Sequence, residues 1–185
     1  MGSKIRAFIC IDFPNNIVKE ITRIQSLVSK KHFTGKLTEP ENLHLTLKFL
    51  GEIDKEKLEF VKSSLEKIKH PSLELRLSCC GIFSFKKKPR IVWVKLSENV
   101  FSLQEKIDSA LTSLFPKEKR FMSHVTIARV KYVADKISFK NYVSKISPKR
   151  IRFSVDRFNL KSSSLSSLGP VYELISSYQL TGNNN

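Results

Sequence analysis

A short pattern that occurs twice constrains this chain more than any other feature. His44-Leu45-Thr46-Leu47 and His124-Val125-Thr126-Ile127 both read His-x-Thr-x inside an apolar run, and they take two of the chain's four histidines. Side chains of a strand alternate faces, so a residue and its second neighbour point the same way, about 6.5 Å apart. Alternation places His44, Thr46 and Lys48 on one face and Leu43, Leu45, Leu47 and Phe49 on the other, which reads as core. In the second copy Val125 and Ile127 are the buried positions, and His124 and Thr126 are presented. Two such strands facing across a groove would offer two imidazoles to divide acid and base work and two hydroxyls to hold one oxyanion. That set of groups suits attack on a phosphodiester.

The rest of the pattern interleaves helices and strands. Ile5 to Phe13 is strand-like, and Ile17, Ile21, Ile24 and Val28 follow at helical spacing, with the helix ending near Lys31. A turn-rich stretch from His32 to Pro40 leads into the first motif. Leu58, Val61, Leu65 and Ile68 mark a second helix that stops before His70-Pro71. Strands over Leu73 to Phe83 and Arg90 to Leu96 should pair, joined by the basic, aromatic loop Ser84-Phe85-Lys86-Lys87-Lys88-Pro89. The second half repeats the order: a helix on Val100, Leu103, Ile107, Leu111 and Leu114, the second motif within Phe121 to Lys131, and a helix around Ile137, Val143 and Ile146. Strands over Ile151 to Leu160 and Val171 to Leu180 close the chain, joined by a Ser-rich segment, Ser162 to Gly169, that reads as a flexible loop. One motif strand per half fits an internal duplication. Residues 1–185 are expected to form a single unit of two lobes without a clean boundary.

The 185 residues carry 33 Lys and Arg against 17 Asp and Glu, a formal charge of +16. Such an excess attracts polyanions in a salt-dependent way and points to RNA as the partner, set against a general abundance of lysine. No run reaches the roughly 18 apolar residues a membrane span needs, and Met1-Gly2-Ser3-Lys4 does not resemble a signal peptide, so a cytoplasmic protein is expected. A monomer is the expectation, since no heptad pattern is present. Cys10, Cys79 and Cys80 lack zinc-ligand spacing and read as reduced, packed thiols, with Cys79 and Cys80 pointing to opposite faces of a strand. No metal and no cofactor are implied.

The residues resemble a known family, the two-histidine (2H) phosphoesterases, and within it the RNA 2',3'-cyclic phosphodiesterases, also called 2'-5' RNA ligases. The similarity is carried by residues 6–12, by Glu41-Asn42-Leu43-His44-Leu45-Thr46-Leu47-Lys48-Phe49-Leu50-Gly51-Glu52, by Arg90-Ile91-Val92-Trp93, by His124-Val125-Thr126-Ile127-Ala128-Arg129, and by Ser163, Leu165, Gly169-Pro170 and Tyr172. Ser123 departs from the Pro of many relatives. The resemblance implies an α+β fold of two lobes, with antiparallel sheets flanking a central cleft and helices outside. It implies hydrolysis of an RNA terminal 2',3'-cyclic phosphate, including those of tRNA fragments, to a 2'-phosphate. His44 would be the proton donor and His124 the acceptor, and joining to a 5'-hydroxyl would give the 2'-5' linkage.

Other residues are weighed against plainer roles. Thr46 and Thr126 are also good strand formers, but sharing a face with the histidines favours phosphate contacts. Arg129 is associated by resemblance with the substrate phosphate, yet strict alternation from His124 turns it away, so a bulge or strand end after Ala128 is needed to re-aim it. Lys48 is a candidate phosphate contact or a solvated lysine. Phe83, with Phe85, is placed beside the cleft by analogy and would stack on a base, unless it belongs to the core. His32 and His70 lack the pattern and read as structural or solvated. The competing readings are a 2',5'-phosphodiesterase acting on oligoadenylate or small cyclic nucleotides, and a nucleotide- or RNA-binding module without catalysis.

Overall fold

The computed structural model describes residues 4–167 and 169–181. Nine strands and four α-helices are present among them: β1 (Ile5–Asp12), α1 (Asn15–Ser29), β2 (Thr34–Leu37), β3 (His44–Ile53), α2 (Lys55–Glu66), β4 (Leu73–Phe85), β5 (Lys88–Leu96), α3 (Phe101–Ala110), β6 (His124–Tyr132), α4 (Lys136–Lys145), β7 (Arg152–Val155), β8 (Arg157–Ser166) and β9 (Gly169–Gln179). They build two antiparallel sheets, ordered β3-β1-β8-β9 and β2-β6-β5-β4-β7. The fold is α+β, as the sequence implied. Each sheet draws strands from both halves of the chain, because β8 and β9 join the first sheet while β2, β4 and β5 join the second.

Helical spacing buries one stripe of α1, with Ile17, Ile21, Ile24 and Val28 all fully enclosed. Asp54 and Asp135 cap α2 and α4 by accepting the backbone N–H groups of Lys57 and of Ile137 and Ser138. Leu45 and Leu47 of β3 and Val125 and Ile127 of β6 lie in the same apolar core. Full burial of each such side chain stabilises by about 1.5–3 kcal/mol. That packing fixes which face of each motif strand can reach solvent.

Both motif strands carry the same irregularity. Between β1 and β3 the register steps from Ile9↔Lys48 to Cys10↔Thr46, which leaves Leu47 as an extra residue. Between β5 and β6 it steps from Val92↔Ala128 to Trp93↔Thr126, which leaves Ile127 as the extra one. Each bulge sits three residues beyond its histidine and turns two successive side chains inward: Leu47 with Lys48, and Ile127 with Ala128. Alternation resumes out of step, and this corrects two expectations. Phe49, expected in the core, is 71% exposed, and Lys48, expected beside the histidine, is buried.

The Ser-rich segment is also not a loop. Its serines continue β8, which pairs with β9 through Ser162↔Glu173, Ser163↔Tyr172 and Ser164↔Val171. The basic loop between β4 and β5 is shorter than expected, because Phe85 pairs with Lys88 and only Lys86 and Lys87 turn. Strand β2 lies within the stretch read as turns. Cys79 is exposed and Cys80 buried, in line with their opposite facing.

Candidate active site

The two histidines are held in the same way. His44 donates from Nδ1 to the carbonyl of Asn42 (2.8 Å), and His124 donates from Nδ1 to the carbonyl of Met122 (2.8 Å). Each carbonyl belongs to the residue two positions earlier, just before the strand begins. A carbonyl can only accept, so Nδ1 carries the proton in the neutral ring and Nε2 is left as the titrating atom. Thr46 Oγ1 lies 3.0 Å from His44 Nε2. With His44 neutral, the threonine hydroxyl donates to Nε2. Once Nε2 is protonated the bond must reverse, and the hydroxyl proton is freed for another acceptor.

Aromatic rings enclose both imidazoles. Phe8 lies 4.9 Å from the His44 ring and Tyr172 meets it edge-on at 5.3 Å. Phe83 meets His124 edge-on at 5.1 Å and leans on Trp93. Gly81 makes room for that indole, since a Cβ there would collide with it. Burial in these settings disfavours the charged imidazole. It lowers His44 from 6.5 to about 4, opposed mainly by the Asn42 carbonyl, and lowers His124 as well, opposed by the Met122 carbonyl. Both rings are therefore neutral at pH 7 in the free protein.

A polar cluster adjoins His44. Asp12 is its register partner on β1, and the Asp12 carboxylate accepts from Lys161 Nζ (2.7 Å) and Asn159 Nδ2 (2.9 Å). Lys161 lowers the His44 pKa and Asp12 raises it, in lesser measure than burial. The Asn42 side chain donates to the Pro170 carbonyl (3.0 Å), so the residue that orients His44 is itself anchored to the start of β9.

Each residue singled out by the sequence has a definite place. Thr46 and Thr126 share the histidine faces of β3 and β6. The Ile127 bulge re-aims Arg129 to the His124 face, where it is exposed. Its charge acts on the Tyr172 hydroxyl, which burial otherwise holds above the usual phenol range. Phe83 packs against His124. Lys48 does not join the others: its ammonium is bound by Asp108 Oδ1 (2.5 Å) and the Pro116 carbonyl (2.8 Å) on the opposite side of β3. The same bulge that exposes Phe49 drives Lys48 inward. His70 bonds Ser102 through Nε2, in a structural setting.

Sequence reasoning missed Phe49, Asn42, Asp12 and Lys161 as site neighbours. The strand registers that place them could not be read from composition or spacing. Gln25 was missed too: from α1, buried, it donates to the Thr38 and Ile127 carbonyls (2.7 and 2.8 Å) and so satisfies the backbone at the second bulge.

A family model, that of the LigT-like phosphoesterases, matches twice, over residues 11–93 and 94–172, and each match contains one His-x-Thr-x motif. The chain belongs to the LigT-like phosphoesterase family. The RNA 2',3'-cyclic phosphodiesterase of Methanocaldococcus jannaschii is 35% identical over 177 residues, spanning 92% of this chain and 98% of that protein. That of Thermotoga maritima is 33% identical over 183 residues, spanning 96% and 97%. Among solved structures, TT0787 of Thermus thermophilus superposes with a TM-score of 0.82 at 25% identity, covering 97% of this LigT-like chain and all of the other. The apo form of Escherichia coli LigT gives 0.77 at 24% identity, covering 97% and 99%, and shows the shared fold. Among the described residues no helix of this family member is long and apolar enough to cross a membrane, and no cluster of three or more His, Cys, Asp or Glu side chains gathers.

Proposed function

We propose that this LigT-like phosphoesterase hydrolyses the 2',3'-cyclic phosphate at an RNA end to a 2'-phosphate, without a metal. The observation that carries the reading is the pair of histidines with identically tethered Nδ1 atoms, each leaving Nε2 as the titrating atom on a face that also bears a threonine. The names of the relatives above agree with it.

The cyclic diester carries one negative charge and a strained ring, so an acid, a base and hydrogen-bond donors are sufficient. Water attacks phosphorus and gives a proton to His124 Nε2. The bond from phosphorus to O3' breaks, and His44 Nε2 supplies the proton that O3' takes. Thr46, Thr126 and Arg129 hold the non-bridging oxygens as charge accumulates there. A low pKa makes protonated His44 a strong acid toward an alkoxide, and the anionic substrate favours the protonated ring when it binds. Phe49, exposed on the His44 face 6.3 Å from Phe8, offers a ring for the terminal base. With a 5'-hydroxyl in place of water the same steps give a 2'-5' linkage. Action as a cytoplasmic monomer on RNA ends, those of tRNA fragments included, completes the reading.

The test is incubation, in EDTA, of the protein with a short RNA ending in 2',3'-cyclic phosphate, followed by assignment of the product's phosphate. The expected product is a 2'-phosphate that disappears in the His44→Ala/His124→Ala variant. Turnover confined to 2'-5' oligoadenylate would favour the 2',5'-phosphodiesterase, and RNA binding without turnover the non-catalytic module.

A further inference from the structure

The hairpin that joins β4 to β5 is unusual for its turn residues. Lys86 and Lys87 form the whole turn, and both lie at positive φ, 47° and 63°. Two successive positive values are the signature of the type I′ turn, which favours Asn-Gly. Long side chains there are crowded against their own backbone, so two lysines are a poor choice for the fold alone. Among the described residues no carboxylate lies within ion-pair distance of Lys86, Lys87 or Lys88.

The strand leading to this turn passes the candidate site near its end. Phe83 touches His124, and Phe85 lies two residues, about 7 Å, further along the strand. Phe85 is 63% exposed, and Lys86 Nζ sits 5.5 Å from its ring centre. Lys86 and Lys87 cap the hairpin about 10 Å beyond Phe83. An aromatic platform beside uncompensated cations, running outward from the reacting centre, matches what single-stranded nucleic acid requires: a ring to stack on and charges along the backbone.

We propose that the β4–β5 hairpin is an RNA-gripping arm, in which Phe85 stacks on a base and Lys86 and Lys87 hold phosphates of the nucleotides just 5' of the reacting end. The inference rests on the RNA phosphodiesterase reading and narrows it: the preferred substrate is an RNA chain, not a cyclic mononucleotide.

The test replaces the turn by the dipeptide its geometry favours, Lys86→Asn/Lys87→Gly, which removes both charges and keeps the hairpin. A melting temperature at or above wild type verifies the fold. Three measurements follow: turnover of adenosine 2',3'-cyclic phosphate, turnover of a short unstructured oligoribonucleotide ending in 2',3'-cyclic phosphate, and equilibrium binding of the 2'-phosphate oligomer across a salt series. KM for the oligomer should rise roughly three- to tenfold, and the slope of log affinity against log salt should shrink by about 0.7 per lysine lost. Turnover of the mononucleotide should be unchanged. Phe85→Ala should weaken oligomer binding by roughly fivefold or more. Unchanged oligomer affinity and salt slope in the folded variant would overturn the arm, as would an equal loss on both substrates. If the wild-type protein turns over neither substrate, the phosphodiesterase reading fails, and the binding series still decides whether the hairpin holds RNA.

Discussion

The His44 and His124 halves of the candidate site share a backbone and differ in what they hang on it. Both place a histidine on a carbonyl tether, a threonine two residues on, and a bulge after that. Past the bulge they part. The inward position is Lys48 in one half and Ala128 in the other, and the outward position is Phe49 in one and Arg129 in the other. Around His44 the neighbours are Phe8 and Tyr172, with an Asp12–Lys161 pair behind, whereas His124 has Phe83 backed by Trp93. The lesson is that one repeated backbone can carry the reacting atoms of the proposed reaction twice, while the unlike side chains around it are free to differ, an aromatic ring in one half and a cation in the other.

The comparison breaks outright if the two histidines are not distinct in role. His44→Ala and His124→Ala should each lower kcat by about 10²–10⁴-fold. Removing His124, the proposed base, should abolish the rise of activity on the acid side. Removing His44, the proposed acid, should abolish the fall on the alkaline side. Because both pKa values lie below 6.5, wild-type kcat/KM should peak on the acid side of neutrality and fall as pH rises further.

The inward positions come next. Lys48→Met leaves Asp108 buried without its cation and should destabilise by about 3–5 kcal/mol in urea unfolding. Lys48→Met/Asp108→Leu should recover most of that. If the single variant is as stable as wild type, the ion pair does not set the two halves apart.

The outward positions sharpen the contrast. Arg129→Lys keeps the charge but loses the forked donor and should lower kcat by about 10²-fold. Phe49→Ala should leave kcat nearly intact and raise KM about tenfold. The same parameter moving in both variants would remove the distinction drawn between them.

A smaller effect is on stability. The unfolded chain binds a proton at His44 near pH 6.5, while the folded chain does so near 4. Between those values the unfolded state holds more protons, so stability falls as pH drops through that window, by up to about 3 kcal/mol. The loss is complete below the folded value. His44→Gln should flatten the profile in urea titrations at pH 4 and pH 7, and His124→Gln should flatten it less.

Much of this was legible in the sequence, and what was not has one main physical cause. Period-two alternation located His44, Thr46, His124 and Thr126 correctly on their faces, because nothing interrupts the strand between each His and its Thr. It failed one step later, at Lys48 and Phe49, where an unpaired Leu47 resets the alternation. Arg129 needs such a bulge to share the His124 face, and the bulge at Ile127 supplies it. The serines of β8 read as a loop because Ser and Gly-Pro are turn formers, whereas pairing along the Ser162–Glu173 register overrides local preference. Strand β2 is short, wholly exposed and contains Gly35, so it carries no hydrophobic signal at all. Asp12 and Lys161 approach His44 through the pairing of β1 with β3 and β8, which no local pattern encodes.

The Lys48–Asp108 pair reaches beyond its own strand. Asp108 also accepts from Gln104 Nε2 and from the Glu118 backbone N–H, both at 2.8 Å, while Lys48 bonds the Pro116 carbonyl. The back of β3 is thereby tied to the segment that leads into β6. The cost of desolvating charges falls on heating, whereas the gain from apolar burial levels off. Warming therefore raises the share of the hold between β3 and this segment that the charged tie carries, relative to the apolar contacts around it.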